Sequence, residues 1–137
     1  MKILNPSENI TRITSMIENA KKFVVIVSPY NELAGWDKLK EAINSAMKKN
    51  IPVYYYVRKE EGRNGLEGVN VKLFGVPDLH AKMFFNEKEA LISSGNLTNR
   101  PDINWVYLIN DPREYSDLTN FFDTYIKPKA ITLHASS

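Results

Sequence analysis

The chain has 137 residues, with 18 lysines and arginines against 16 aspartates and glutamates, a formal net charge of +2 and no cysteine. This length suits one domain with a single substantial core. The lack of cysteine excludes a disulfide framework and a thiolate metal site. The mildly basic balance, with a pI near 8.7, permits an anionic partner such as nucleic acid or a lipid surface without requiring one.

The hydropathy of the chain argues against a membrane protein. The longest apolar run, Phe23–Val27, is far too short to cross a bilayer, and the N-terminus lacks the long apolar segment of a secretory signal. We therefore expect no membrane span and a cytoplasmic location. We also expect one domain over residues 1–137, with its core at about 8–126 and a C-terminal tail at about 129–137.

Three segments predict amphipathic helices. The first follows a capping asparagine, Asn5, with proline in the first helical position, and its apolar residues recur at helical spacing as far as Ala20. The second begins at Asp37 and continues to the lysines near residue 48. The third repeats the pattern of cap, proline and acid from Asp111, and its apolar stripe runs to Ile126.

The remaining apolar runs predict strands. Phe23–Val27 is continuous and rich in β-branched residues, which is typical of a strand covered on both faces. Further strands are expected at Pro52–Arg58, Val69–Phe74, His80 onwards, Ala90–Ile92 and Asn104–Asp111. Strand, helix and strand at the start imply parallel pairing, and the later short turns imply antiparallel pairing. The predicted fold class is α/β, a mixed β-sheet flanked by helices on both faces.

The most informative polar residues flank the predicted hairpin. Side chains alternate along an extended strand, so His80 and Lys82 should project on the same side. The next apolar run leads directly to Ser94 and Asn96. An imidazole that can attack, beside an ammonium, a hydroxyl and an amide that can hold oxygens, predicts a phosphate site.

With these residues the sequence resembles the phospholipase D-like superfamily, whose mark is a His-x-Lys strand followed by a Gly/Ser-Ser-x-Asn turn. The first strand with its Ser-Pro-Tyr at residues 28–30, and the strand at 104–111, extend the resemblance over roughly residues 8–126. The presence of one motif matches the subgroup of small bacterial nucleases. The resemblance implies a mixed sheet with flanking helices and catalysis without a metal or another cofactor.

The resemblance also implies a role for each motif residue. His80 would be the nucleophile and form a phosphohistidine, as histidine is largely neutral at physiological pH. Lys82 and Asn96 would stabilise charge on the phosphoryl oxygens, and Ser94 would donate a further hydrogen bond.

The family mechanism needs a second histidine that protonates the leaving oxygen. The other histidine of the chain, His134, has no lysine two residues later and is interpreted as part of the tail. A chain with one motif would then take its second histidine from another copy of itself. We therefore expect a homodimer with the site on its two-fold axis.

Three other residues are candidates for substrate binding. Tyr30 follows the first strand and would line the site or pack against the neighbouring helix. Arg58 and Arg100 fall in or near loops around the motif, where they would contact a nucleic-acid backbone or simply contribute surface charge.

The sequence departs from the family pattern at two points. The aspartate that usually follows the lysine is absent, and Glu87 is the candidate substitute. The Asn-x-Glu of the following strand is replaced by a segment that ends in Val106, which cannot orient a histidine. Asp78, Asp102 or Glu87 would have to supply that carboxylate.

We predict a metal-independent phosphodiesterase that cleaves DNA or RNA at a homodimer interface. A phospholipid phosphodiesterase is the enzymatic alternative, and it would require an exposed apolar rim that the sequence does not reveal. A second alternative is a catalytically impaired binding or dimerisation module of a larger nuclease or helicase. Val106 and the missing aspartate favour that module, whereas the complete set of His80, Lys82, Ser94 and Asn96 favours the enzyme.

Overall fold

Three α-helices lie within residues 2–133, the part of the chain that the computed structural model describes. They are α1 (Asn9–Glu18), α2 (Asp37–Lys48) and α3 (Pro112–Phe121), the last continued by a π-helical turn at Phe122–Ile126. None of the helices in this range combines the length and the apolar character that a bilayer crossing requires. The caps predicted for the first and third helical segments are confirmed: the Asn5 side chain accepts from the Ser7 N–H, and the Asp111 side chain accepts from the Arg113 N–H.

Most of the strands form one sheet. The ten strands of the described range are β1 (Lys2–Ile3), β2 (Val24–Val27), β3 (Asn31–Glu32), β4 (Val53–Arg58), β5 (Lys72–Val76), β6 (Met83–Asn86), β7 (Ala90–Ser93), β8 (Leu97–Thr98), β9 (Val106–Ile109) and β10 (Ile131–Thr132). Eight of them lie in the order β1-β9-β7-β6-β2-β4-β5-β10, and β3 pairs with β8 separately. β2, β4 and β5 are parallel, whereas the other pairs of the large sheet are antiparallel. The predicted mixed sheet is confirmed.

The core is divided between the two faces of this sheet. All four residues of β2 are buried, as its unbroken apolar run predicted. Val24 and Ile26 pack in the cluster that contains the buried faces of α1 and α2. Val25 and Val27 pack in a second cluster with Phe122, at the end of α3. Helices therefore cover both faces, as expected, because a strand with alternating apolar side chains on two sides needs apolar partners on both.

Two residues of the tail predicted from about residue 129 pair with the sheet, residues 131 and 132. These residues form β10, which pairs antiparallel with β5 and supplies partners to the backbone at that edge of the sheet. Both of its side chains are exposed, so no apolar alternation marks the strand in the sequence. β1 likewise extends the sheet outside the predicted core, beside β9. His134 lies outside the described residues.

Candidate active site

His80 and Lys82 lie immediately before β6, at the edge of the sheet where β2 ends. The Lys82 Nζ is 3.4 Å from the His80 Nε2, so the predicted projection to the same side is observed. The Lys82 carbonyl accepts from the Ser93 N–H at 3.2 Å, which continues the β6–β7 ladder past the start of β6. This bond fixes the Lys82 backbone against the neighbouring strand, while the His80 side chain is exposed.

Partial burial changes the acid–base behaviour of Lys82. Loss of solvent around its ammonium lowers the pKa of Lys82 below the ordinary lysine value. A partly desolvated cation is stabilised by an anion that enters beside it. This side chain is therefore suited to hold a phosphoryl oxygen.

The Asn96 side chain is held through its oxygen. Its Oδ1 accepts from the Tyr30 N–H at 3.0 Å, which leaves the amide NH2 group for another partner. The next residue, Leu97, donates its N–H to the Oγ of the fully buried Ser28 at 2.9 Å. Ser28, which directly follows β2, thus fixes the turn that carries Asn96. The sequence did not predict this role for Ser28.

Ser94 is bonded mainly to the neighbouring strand. Its hydroxyl donates to the Asn104 Oδ1 at 3.1 Å and accepts from the Trp105 N–H at 3.0 Å. The Asn104 amide lies directly over Gly95, where an added Cβ would come within 2.3 Å of its Nδ2. Glycine is therefore required between Ser94 and Asn96. Asn104 was quoted as part of a strand but was missed as a site residue.

An open pocket of about 410 Å³ brings several of these residues together. Its lining is polar and consists of Tyr30, Ser94, Gly95, Asn96, Thr98, Arg100, Asp102 and Asn104. Predicted site residues from two separate segments of the sequence, Tyr30 and the stretch from Ser94 to Arg100, therefore line the same depression. His80 and Lys82 are not part of this lining, and they are linked to it through the backbone pairing of Lys82 with Ser93.

The two candidate arginines are both paired. The Arg100 Nε and Nη2 lie 3.0 and 2.9 Å from the Glu32 Oε2, at the exposed end of the pocket. The Arg58 Nη1 donates to the Leu79 carbonyl at 3.2 Å. Arg58 therefore contacts the residue directly before His80.

Glu87, the candidate supporting carboxylate, lies at the opposite end of β6 from His80, where backbone groups bond it. Its carboxylate accepts from the backbone N–H groups of Lys21, Lys22 and Phe23 at 2.8, 3.0 and 3.4 Å. Burial raises the pKa of Glu87, but these backbone donors outweigh it and lower the pKa below the ordinary value. Glu87 caps the turn before β2 and does not reach His80, because the whole length of β6 separates them.

No carboxylate within residues 2–133 is hydrogen-bonded to the His80 ring, whose described partner is Lys82. The Asp78 side chain is 97% exposed and lies 3.7 Å from Arg58. Val106 is buried in the core with α1 and α2, so this position contributes packing. No group of three or more His, Asp or Glu side chains in the same range could hold a metal ion.

Comparison with known proteins identifies the fold. No family model and no curated protein matches the sequence. Among solved structures, the chain is similar to Nuc from Salmonella typhimurium, a phospholipase D family member, with a TM-score of 0.73, 16% identity, and coverage of 98% of this chain and 99% of that one. NucT from Helicobacter pylori matches with a TM-score of 0.78 and 15% identity, over 96% and 98% of the two chains.

A third structure shares the fold in a larger protein. Phosphatidylserine synthase from Haemophilus influenzae Rd KW20 matches with a TM-score of 0.77 and 18% identity, over 99% of this chain but 39% of that one. The chain therefore has the phospholipase D-like fold that its His-x-Lys and Ser-x-Asn segments predicted.

Proposed function

We propose that the chain is a metal-independent phosphodiesterase that cleaves nucleic acid through a covalent intermediate on His80. The observation that carries this proposal is the 3.4 Å contact of Lys82 Nζ with His80 Nε2 at the open edge of the sheet. We assign the attack on phosphorus to Nε2, because a charged ammonium beside this atom can only donate and so favours the imidazole tautomer that has its electron pair there.

The first half of the reaction breaks the phosphodiester. His80 Nε2 forms a bond to phosphorus as the bond to the leaving oxygen breaks, and that oxygen takes a proton from a general acid. Lys82 and the free amide donors of Asn96 stabilise the charge on the non-bridging oxygens. In the second half, a water oxygen bonds to phosphorus and loses its proton to the same acid–base group, while the phosphorus–nitrogen bond breaks and its electron pair returns to His80 Nε2.

Within residues 2–133, His80 is the one histidine, so this part of the chain holds no second imidazole that could act as the general acid. We assign it to His80 of the partner subunit in a homodimer whose two-fold axis passes through the site. Ile103 and Trp105, which flank Asn104, are 90% and 47% exposed and provide an apolar surface for such a contact. The Trp105 N–H donates to the Ser94 Oγ and the Trp105 carbonyl accepts from the Ser94 N–H, so a partner that packs on this surface lies next to the site.

Nucleic acid is the substrate that the charge and length of the chain favour. The net charge is +2, Lys82 presents a cation next to His80, and Arg100, which is paired with Glu32, lines the pocket. The chain covers nearly all of Nuc and NucT but 39% of phosphatidylserine synthase, so its similarity to the first two extends over their whole length.

A phospholipid phosphodiesterase is the second candidate, and one observation favours it. The sequence revealed no apolar rim, yet the exposed Ile103 and Trp105 lie beside the site residue Asn104. Cleavage assays with an oligonucleotide and with phospholipid vesicles separate the two candidates. Release of head groups from vesicles without cleavage of the oligonucleotide would replace the proposed substrate.

Mixing two forms of the protein tests the shared site. If each active site uses both copies of His80, a wild-type subunit paired with a His80→Ala subunit lacks either nucleophile or acid. After subunit exchange, excess His80→Ala should reduce wild-type activity to the fraction of fully wild-type dimers. Activity that stays proportional to the amount of wild-type chain would contradict the two-histidine mechanism. Light scattering on the same samples checks that dimers form.

A further inference from the structure

Arg58 contacts the backbone that leads into His80. It is the last residue of β4, and its Nη1 donates to the Leu79 carbonyl at 3.2 Å. That carbonyl belongs to the peptide group that joins Leu79 to His80. Because a peptide group is planar and rigid, a bond on its oxygen also sets the direction of the His80 N–H and Cα. The guanidinium thus holds the backbone from which the imidazole projects.

Both ends of this contact are fixed. The Arg58 N–H donates to the Pro29 carbonyl at 3.1 Å, and Arg58 pairs with Val76 in the β4–β5 ladder. The Leu79 side chain is buried, with 4% of its surface exposed. A donor on a strand end therefore meets an acceptor whose own side chain is anchored in the core, and His80 follows this anchored point directly.

The charge of Arg58 is already balanced by protein groups. Its Nε lies 3.5 Å from the Glu60 Oε2, and its Nη2 lies 3.7 Å from the Asp78 Oδ1. Asp78 has a φ of +58°, in the left-handed region that residues other than glycine seldom adopt, so the turn before His80 needs support from its surroundings. Two carboxylates beside the guanidinium make it a poor contact for a phosphate.

We propose that Arg58 is a positioning residue for His80. This inference rests on the proposed function and assigns Arg58 a different task from the substrate contact that the sequence predicted. The planar guanidinium donates to the Leu79 carbonyl and at the same time faces the carboxylates of Glu60 and Asp78. A lysine ammonium reproduces this arrangement only in part. Without it, the His80 peptide turns away from the orientation that attack on phosphorus requires.

Kinetics of Arg58→Ala separate positioning from substrate binding. We expect kcat to fall about 10- to 100-fold with both an oligonucleotide and the small diester bis(p-nitrophenyl) phosphate, the scale of a modest misplacement of a reacting group. KM should stay within about twofold, because ground-state binding is not altered. The kcat of Arg58→Lys should lie between those of Arg58→Ala and wild type. Arg58→Lys takes the place of Arg58→Ala in the comparison if the alanine variant fails to fold.

Arg12→Ala is the matched control. Arg12 is also ion-paired, with its Nη1 2.8 Å from the Glu89 Oε1 in the turn at the opposite end of β6 and β7. Its loss removes an arginine and an ion pair without contact to the segment before His80. We expect unchanged kcat and KM for both substrates.

An NMR measurement tests the inference independently of activity. The chain has two histidines, so His80→Ala assigns the His80 imidazole signals directly. Arg58→Ala should shift or broaden these signals, and Arg12→Ala should not. If the wild type cleaves no diester, the proposed function fails, and the His80 signals still decide whether Arg58 orients this residue.

Two results would overturn the inference. One is a His80 spectrum that is the same in Arg58→Ala and wild type. The other is a raised KM for the oligonucleotide with unchanged kcat, together with a slope of log affinity against log salt concentration that is smaller by about one. That result would make Arg58 a contact to the nucleic-acid backbone.

Discussion

The two ends of the β6–β7 hairpin carry similar residues in opposite situations. At the turn, the Asn86 side chain is fully buried, donates to the Met16 carbonyl, and accepts from the N–H groups of Lys88 and Glu89. Glu87 beside it accepts three backbone N–H groups. At the open end, Lys82 has one long contact with His80, and Asn96 uses its oxygen alone.

This difference separates structural from functional polar groups. At the turn, backbone groups bond the amide and the carboxylate, and the Asn86 side chain is fully buried, so these side chains stabilise the fold. At the open end, the ammonium and the amide keep donors that a phosphate can satisfy. Hydrogen-bond donors that are available to a ligand therefore distinguish the functional polar residues of this hairpin from the structural ones.

Exchange of each asparagine for aspartate tests the contrast most strongly. Asn96→Asp keeps the acceptor for Tyr30 but replaces the free donors with negative charge, so kcat should fall about 10²- to 10³-fold, as for the loss of a charge-stabilising donor. Cleavage of an oligonucleotide under saturating conditions measures this effect. A rate close to that of the wild type would show that Asn96 does not stabilise charge on the phosphoryl oxygens.

Asn86→Asp is the matched variant at the turn. It removes the donor to the Met16 carbonyl and places a carboxylate against that oxygen, which should destabilise the fold by about 1–3 kcal/mol. Below its melting transition the folded protein should cleave at the wild-type rate. Urea unfolding and the cleavage assay measure the two effects, and a large loss of kcat without loss of stability would break the contrast.

Lys82→Arg probes the partly buried cation through pH. Because burial lowers the pKa of Lys82, the wild type should lose activity as pH rises through a value below that of an ordinary lysine. A guanidinium stays charged there, so Lys82→Arg should retain its activity at high pH despite a maximum rate about tenfold lower from altered geometry. The measurement is kcat/KM against pH for both proteins. If kcat/KM falls over the same alkaline pH range in both, the deprotonation of another group causes the loss of activity.

Glu87→Gln should have the smallest effect. The lowered pKa of Glu87 means that its carboxylate stabilises the fold above the unfolded pKa and that this contribution is lost as pH falls through the folded pKa. The substitution should therefore reduce the free energy of unfolding by about 1 kcal/mol at neutral pH and by less in acid. Urea titrations at both pH values test this, and a drop in kcat at neutral pH would instead restore Glu87 to the site.

The sequence predicts those parts of the fold that bury an apolar pattern. The run at β2 and the periodic residues of α2 gave the correct elements because each buries a continuous apolar surface. β1 and β10 are two residues long with exposed side chains, so their pairing depends on free sheet edges that no local pattern reports. Their existence follows from the tertiary structure alone.

The site was predicted where spacing along a short segment determines geometry. His80 and Lys82 are two residues apart, and their contact follows from the alternation of an extended chain. Lys82 and Glu87 are close in sequence, yet five residues of extended chain separate them by about 16 Å. Asn104 reaches Ser94 through the pairing of β7 with β9, which the spacing of the two residues does not reveal.

Cleavage by the wild type and by His80→Ala, both purified free of host nucleases and assayed in EDTA, tests the central assignment most directly. His80 is exposed and contributes little packing, so the variant should fold with a melting temperature near that of the wild type. We expect the wild type to cleave an oligonucleotide in the presence of chelator and the variant to show no cleavage above background. Equal rates for the two proteins, or wild-type activity that disappears with EDTA and returns with magnesium, would contradict a phosphohistidine mechanism at His80.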